Sequence, residues 1–270
     1  MRPDQTRSFS LFKLSLLLDL LFSALNTQPS LGLQTSMAPF SPFKLSLLLN
    51  LLSNSGTWQA PRHGKNFFGI YPPTCGRIEC PTYQLVQAGD DYEIRRYNST
   101  VWMSTSPIQD ISLVEATRTG FLQLFDYIQG KNSHSQKIEM TAPVINEVYP
   151  SDGPFCASSF VVSFYVPKAN QPDPPPAKGL HAQRWKPTYV AVRQFGGFVS
   201  DSDVAMEAAA LEGSLSGSAW AAAIEKSREG SDHASNYTVA QYNSPFEFDD
   251  RVNEVWMLFD MEGDEHELKI

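Results

Sequence analysis

Cysteines, basic clusters and long apolar runs are all scarce in this 270-residue chain. The three cysteines (Cys75, Cys80 and Cys156) are too few and too unevenly spaced for a zinc site, which needs paired ligands at short spacing. No run of five basic residues occurs, and the formal charge is −8, which argues against a nucleic-acid binder because phosphate recognition depends on clustered Lys and Arg. No apolar run approaches the ~20 residues that a membrane-spanning helix needs.

Several catalytic motifs are also missing. The chain has no nucleophile elbow, no phosphate-cradling glycine loop and no metal-hydrolase histidine pair, so the sequence gives enzymatic function no positive support. A composition of 42% hydrophobic, 12% aromatic and 19% charged residues excludes collagen, a coiled coil and wholesale disorder. Such a chain can bury one substantial core or two small ones.

The first 55 residues contain a duplication with a spacing of 31 residues, in which Phe9–Leu21 recurs as Phe40–Leu52 with few changes. Each copy has a basic residue followed by about eight mostly apolar residues, which is typical of a signal peptide. The second copy fits better, because Met37 can serve as a start and Ser53 and Ser55 suit a cut before residue 56. We predict a leader over residues 1–55; the alternative is an amphipathic N-terminal helix.

A secretory chain fits the remaining sequence. Residues 1–55 hold four basic and two acidic residues, so the rest carries 17 basic and 27 acidic side chains. One disulfide and one free thiol are the simplest arrangement of the three cysteines, with the pairing open. Asn98 and Asn236 begin glycosylation sequons. We therefore expect an extracellular or endomembrane location.

Residues 56–81, rich in Gly, Pro and aromatics, predict an extended arm. Periodicity then predicts strands at 92–97 and 101–105, a helix from Leu113 to Ile128 closed by Gly130, and strands at 137–148 and 159–166. Residues 167–187 contain six prolines, so this segment can carry no central strand. The second half predicts a strand at 189–195, helices at 202–215 and 220–226, and strands at 237–242 and 252–259.

Two strand-helix-strand-strand units in succession predict an α+β domain with mainly antiparallel strands and pseudo-twofold symmetry. We place the domain at residues 82–262, followed by an acidic tail at 263–270. Sequence identity between the two halves is negligible, so this expectation depends on the order of the elements alone.

Ordered motifs carry a family resemblance. The strings YEIRRY (92–97), YIQGKN (127–132) and KIEMTAPV (137–144) are followed in order by FGGF (195–198), YNSPF (242–246) and RVNEVW (251–256). Together these strings resemble the SOUL family of heme-binding proteins over roughly residues 80–260. The segment from Cys75 to Pro81 is similar to the plant secretory-type, heme-binding protein 2-like branch of that family.

The resemblance implies a distorted eight-stranded antiparallel β-barrel with one flanking helix per half, which binds heme or another tetrapyrrole without a covalent link. Animal members have a histidine, proposed as an iron ligand, where this chain has Arg96, and arginine cannot fill that role. Either another group binds iron weakly, or packing and propionate contacts alone hold the porphyrin; we favour the second. Among other possible iron ligands, His134 ranks first, ahead of Met140 and Tyr97.

The predicted helix supplies the candidate ligand site. By resemblance it borders the tetrapyrrole, which assigns Arg118 to a propionate and Phe121, Leu124 and Phe125 to the apolar wall. The competing interpretation is that this stripe is ordinary domain core and that Arg118 is solvated or paired. One basic position used elsewhere in the family corresponds to Asp126 here, which weakens the propionate argument.

Two polar segments invite a catalytic interpretation. Residues 137–144 bring Lys, Glu and Thr together, but strand alternation favours a solvated face. Asn253 and Glu254 favour a buried polar network over a site. The leading function is therefore heme buffering or transport by a monomer that has no nucleic-acid partner and no stable membrane span. The alternatives are an enzyme or chaperone step in tetrapyrrole turnover, and an interaction or small-molecule-binding module that has lost heme affinity.

Overall fold

The computed structural model describes residue 69 and residues 71–149, 157–229 and 235–261. The predicted leader (1–55), the acidic tail (263–270) and Cys156 lie outside the described residues, as does most of the predicted arm. The described part of the arm forms a short 3-10 helix, Pro73–Gly76, and a disulfide between Cys75 and Cys80. This disulfide pairs two of the three candidate cysteines.

The described residues after this arm form three α-helices and ten strands. The helices are α1 (Leu113–Ile128), α2 (Asp201–Leu215) and α3 (Ala219–Glu229). The strands are β1 (Tyr83–Ala88), β2 (Glu93–Tyr97), β3 (Val101–Thr105), β4 (Ile108–Asp110), β5 (Val144–Tyr149), β6 (Ser158–Tyr165), β7 (Leu180–Arg184), β8 (Thr188–Phe195), β9 (Tyr237–Gln241) and β10 (Asn253–Phe259).

All ten strands belong to one antiparallel sheet, curled into a half-barrel, with the order β1-β2-β8-β10-β9-β5-β6-β3-β7 and β4 paired to β6. The order is pseudo-symmetric about the β9–β5 pair. On one side of this pair the sheet continues with β10 and then β8, and on the other side with β6 and then β3. β2, from the first half of the chain, pairs with β8, and β7, which precedes β8 in the chain, pairs with β3. The predicted α+β class and pseudo-twofold arrangement are therefore confirmed. The described residues form a half-barrel of ten strands with three helices, where an eight-stranded barrel with two helices was expected.

The two faces of the sheet have different coverings. The helices pack on the outer face, with α1 against β3, β4, β5 and β6, and α2 and α3 against the half that holds β8 and β10. Strand alternation directs every second side chain to the other side, which we call the inner face. Tyr97, Trp102, Trp185 and Trp256 pack there in a second core, and Cys75, Ile78 and Cys80 of the arm lie against it.

Sequence periodicity placed α1 at its observed bounds, but it missed β1, β4 and β7. β1 and β7 lie at the two ends of the sheet order, so β7 fits the expectation that the proline-rich segment carries no central strand. The strand predicted at 137–148 is wrong in its first half, because β5 begins only at Val144. Pro143 has no N–H to donate to a ladder, which stops the strand there.

Gly120 sets how closely α1 approaches the sheet. A Cβ atom at this position would overlap the Val162 side chain of β6. We expect Gly120→Ala to lower the free energy of unfolding by about 1–3 kcal/mol, the usual range for overpacking. Urea unfolding followed by circular dichroism measures this change.

Gly213, in α2, supplies the matched control. A Cβ at Gly213 meets nothing within 4 Å, so Gly213→Ala should be neutral or stabilising, since alanine favours a helix over glycine. Equal stability changes for the two alanine variants would contradict the close-approach interpretation.

Candidate functional site

The N-terminus of α1 is fixed by capping side chains. Ser112 Oγ accepts a hydrogen bond from the Glu115 N–H, and Asp201 Oδ1 accepts one from the Leu113 N–H at 2.7 Å. Asp201 is the first residue of α2, so the same contact joins the starts of two helices. This anchoring fixes the position of the outward-facing flank of α1.

That flank exposes apolar side chains in an otherwise ordinary amphipathic helix. Val114 and Leu122 are each 40% exposed, and Phe121 and Phe125 are only partly buried. The rings of Phe121 and Phe125 stack with centroids 5.8 Å apart and planes 14° apart. The edge-on ring of Phe164 in β6 supports Phe121 from below at 5.3 Å. The result is a rigid aromatic platform, which we call the α1 platform.

Arg118 lies on the same flank, one turn from Phe121 and from Val114. Its side chain is 28% exposed, and its Nη1 lies 3.5 Å from Glu115 Oε2. A cation at the edge of an apolar surface is the arrangement that a tetrapyrrole, with its apolar ring and propionates, requires. The structure thus brings together three of the four residues assigned to the ligand: Arg118, Phe121 and Phe125.

Leu124 does not line the exposed flank of α1, although the sequence analysis assigned it to the apolar wall of the site. It is fully buried and belongs to the core stripe of α1, with Leu113, Ala116, Gly120, Tyr127 and Ile128. At 100° per residue, Leu124 projects from a different side of the helix than Phe121 and Phe125, which project toward the flank. Leu124 can therefore shape the platform only from beneath, and it does not form part of its exposed wall.

Asp126 weakens the propionate argument less than the sequence suggested. Lys131 Nζ lies 2.7 Å from Asp126 Oδ2, so a cation accompanies the carboxylate at the C-terminal end of α1. Both side chains are exposed.

His134 lies in the loop after α1, where its side chain is exposed and its backbone N–H donates to Asn132 Oδ1. Within the part of the chain that the structure describes, no group of three or more His, Cys, Asp or Glu side chains could hold a metal ion. Met140 packs against the same cluster as Phe121 and Phe125, whereas Tyr97 is sealed in the inner core. Arg96 instead donates to Asn98 Oδ1 and lies over the Tyr189 ring.

The inner face holds a buried polar network around Glu254, as the sequence predicted, but its partner residues were not predicted. Glu254 Oε1 and Oε2 each accept from Arg95 at 3.0 Å, and Gln194, Tyr242 and Trp256 also donate to this carboxylate. Arg95 Nε in addition donates to Glu93 Oε2 at 2.6 Å. Burial, the largest single effect, lowers the pKa of Arg95, but the Glu254 carboxylate and the neighbouring tyrosines together outweigh it and the net shift is upward.

Burial of this network also raises the pKa values of Tyr97 and Tyr242. The alternating YEIRRY string is typical of a half-buried strand, but β2 buries almost every side chain. The sequence placed Glu254 in a buried polar network without giving its partner, Arg95. Charged residues that alternate with apolar residues in two strands can form a buried ion pair on the inner face of the sheet.

A sequence profile described as SOUL heme-binding protein matches residues 78–258, about two thirds of the chain. The chain belongs to the SOUL family. Mouse heme-binding protein 2 is 34% identical over 187 residues, covering 67% of this chain and 86% of that relative. Human heme-binding protein 2 is 37% identical over 169 residues, covering 62% and 77%.

Likeness to solved structures is weaker. The C-terminal domain of EcmrR aligns with 66% of this SOUL chain and 99% of its own length, at 8% identity and a TM-score of 0.41, and no argument is drawn from it. Among the described residues of this SOUL protein, no helix combines the length and apolar character needed to cross a membrane.

Proposed function

We propose that this SOUL protein binds heme or a related tetrapyrrole non-covalently on the α1 platform, as a buffer or carrier. The observation that carries the proposal is the stacked, partly exposed pair of Phe121 and Phe125 with Arg118 at its edge. The relatives named heme-binding protein support the ligand class.

Each residue on the flank has a separate part in holding the ring. Phe121 and Phe125 offer flat apolar surface against the porphyrin plane, and Val114 and Leu122 extend that surface along the helix. Burying one such side chain against a ligand contributes roughly 1.5–3 kcal/mol. Arg118 can exchange its contact with Glu115 for a propionate, since a guanidinium accommodates either carboxylate.

Iron ligation has a minor part in this proposal. His134 would be a single exposed loop ligand, and Met140 a thioether at the side of the cluster that contains Phe121 and Phe125. Packing and propionate contacts therefore supply most of the affinity, so the site selects the macrocycle. When bound, heme would supply an iron centre beside the platform, and the chain's own residues orient the ring.

Parallel titrations of the purified protein with hemin and with metal-free protoporphyrin test this proposal, following the Soret band and tryptophan quenching. We expect one ligand per chain with similar affinities for the two. Much tighter hemin binding would assign a larger part to an axial ligand. Failure of both to bind above the background of an apolar dye would favour an interaction module without heme affinity.

Arg118→Ala should weaken hemin and protoporphyrin binding equally, by about fivefold, the size expected for one partly desolvated ion pair. Arg228→Ala is the matched control, because Arg228 is also a helical arginine paired to a glutamate and is 31% exposed, on α3. The same titrations measure both variants. An unchanged affinity in Arg118→Ala would remove the assigned propionate contact.

We further propose a role in binding without catalysis. The alternative, an enzyme step in tetrapyrrole turnover, requires an open iron position and a proton donor near it. Incubation of the heme complex with a reductant and oxygen distinguishes the two: a stable Soret band is expected, and its progressive, protein-dependent loss would support turnover.

We also propose that the chain enters the secretory pathway and remains a monomer. Support for the location comes from the Cys75–Cys80 disulfide and from Asn98 and Asn236, whose side chains are exposed. N-terminal sequencing of secreted protein tests the cut before residue 56, glycosidase treatment tests the sequons, and light scattering tests the monomer.

A further inference from the structure

Among the buried oxygen atoms of the inner face that have no hydrogen-bond partner, two lie on neighbouring strands. They are Glu147 Oε1, on β5, and Thr238 Oγ1, on β9. Glu147 is 6% exposed and Thr238 is fully buried. The two residues stand directly opposite each other in the β5–β9 ladder, so their side chains leave the sheet on the same face, with Cβ atoms about 5 Å apart.

Glu147 differs from the other buried carboxylates of the inner face. Glu93 and Glu254 both receive the Arg95 guanidinium. Within residues 71–149, 157–229 and 235–261, no lysine or arginine forms an ion pair with Glu147. Its Oε2 accepts the Tyr149 hydroxyl, at 2.5 Å. Burial raises the pKa of Glu147, partly offset by contacts from Tyr149 and Gln183 and by the charge of His181.

The surroundings of Glu147 are polar and lead to the surface. Ser104 Oγ lies 2.7 Å from Ser163 Oγ and donates to Gln183 Oε1 at 3.2 Å. Tyr149 and Gln183 are only partly buried, and His181 is exposed. The residues of this group come from β3, β5, β6 and β7.

An unpartnered carboxylate oxygen beside an unpartnered hydroxyl leaves buried acceptor lone pairs unused. Buried unpaired groups of this kind are costly, so a ligand that supplies donors gains free energy on binding. An alkylammonium group carries three N–H donors and one positive charge. Glu147 Oε1 and Thr238 Oγ1 provide two acceptors for it.

We propose that this inner-face group, comprising Glu147, Thr238, Tyr149 and Gln183, is a second binding site that takes the protonated amine of a small organic molecule. The amine's hydrocarbon portion extends past Tyr149 and Gln183 toward solvent. The site is separate from the α1 platform, which lies on the other face of the sheet.

Isothermal titration calorimetry with dansylcadaverine tests the site, because its flexible primary ammonium arm can reach a buried carboxylate. N-acetylated dansylcadaverine is the neutral analogue. We expect one saturable site for the amine and at least tenfold weaker binding of the analogue, the usual scale for a charged hydrogen bond.

Glu147→Gln should weaken amine binding by about tenfold, and Thr238→Val by a smaller factor. Glu225→Gln, at an exposed acid of α3, is the matched control and should bind as the parent does. Thermal melts followed by circular dichroism verify that each variant folds, and Thr238→Val keeps the test open if Glu147→Gln does not. Equal binding of amine and analogue, undiminished binding in a folded Glu147→Gln, or no saturable amine binding would overturn the proposal.

Phe121→Glu separates this proposal from the tetrapyrrole proposal. This variant alters the α1 platform and leaves the inner face unchanged, so amine binding should persist. Loss of amine binding in a folded Phe121→Glu protein would place the amine on the platform and overturn the second site.

Discussion

Replacing Arg95 with methionine is expected to lower the free energy of unfolding by about 3–5 kcal/mol, the usual cost of removing one partner from a buried ion pair. Methionine keeps most of the side-chain volume but leaves Glu254 and Glu93 without their cation in the interior. Arg95 is fully buried and makes two hydrogen bonds to Glu254 and one to Glu93. Urea unfolding at pH 7 measures the change.

Arg96→Met, on the same strand, is the control. Arg96 is only partly buried and points to the opposite face, so its loss should cost no more than about 1 kcal/mol. A triple variant, Arg95→Met with Glu93→Gln and Glu254→Gln, should recover part of the lost stability because the interior charges are gone. If Arg95→Met and Arg96→Met cost the same, the buried network does not stabilise the sheet in the manner described.

Phe121→Glu is expected to weaken binding of both hemin and protoporphyrin by about thirtyfold, equivalent to roughly 2 kcal/mol of lost apolar contact. The new carboxylate also stands one helical turn from Arg118, where it competes with a propionate for the guanidinium. Because Phe121 stacks on Phe125 and packs on Phe164, part of the platform geometry is lost as well. Soret titration measures both affinities.

Met206→Glu provides the comparison, because Met206 is an apolar residue of α2 that is 63% exposed and lies away from the platform. It should leave both affinities unchanged. Thermal melts of the two variants separate lost binding from lost folding. A folded Phe121→Glu protein that retains parental affinity for both ligands would exclude the α1 platform as the tetrapyrrole site.

Helix α1 shows how far local pattern extends. Ser112, the apolar spacing and Gly130 are all short-range signals, and together they placed the helix at Leu113–Ile128. The same pattern identified Phe121 and Phe125 with Arg118 as neighbours. The pattern could not show that Leu124 belongs to the core, because the sequence does not say which apolar side of the helix packs against the sheet.

The pseudo-twofold order was also predictable, because each half repeats its succession of strands and helix. The pairing of β2 with β8 and of β7 with β3 was not, since each is a contact between residues far apart in sequence. Residues 137–143 show the opposite failure, in which an alternating pattern did not become a strand because Pro143 cannot join a ladder.

The sequence by itself determined the family, the α+β class, helix α1 and the chemical character of the platform, because periodicity, capping and ordered motifs are properties of neighbouring residues. Only the tertiary structure decided which charges meet. Arg95 and Glu254 lie 159 positions apart, and Glu147 and Thr238 are neighbours solely through the β5–β9 register. A buried polar group is satisfied or orphaned by the partner that the fold brings to it, and that partner is set by strand pairing across the sheet.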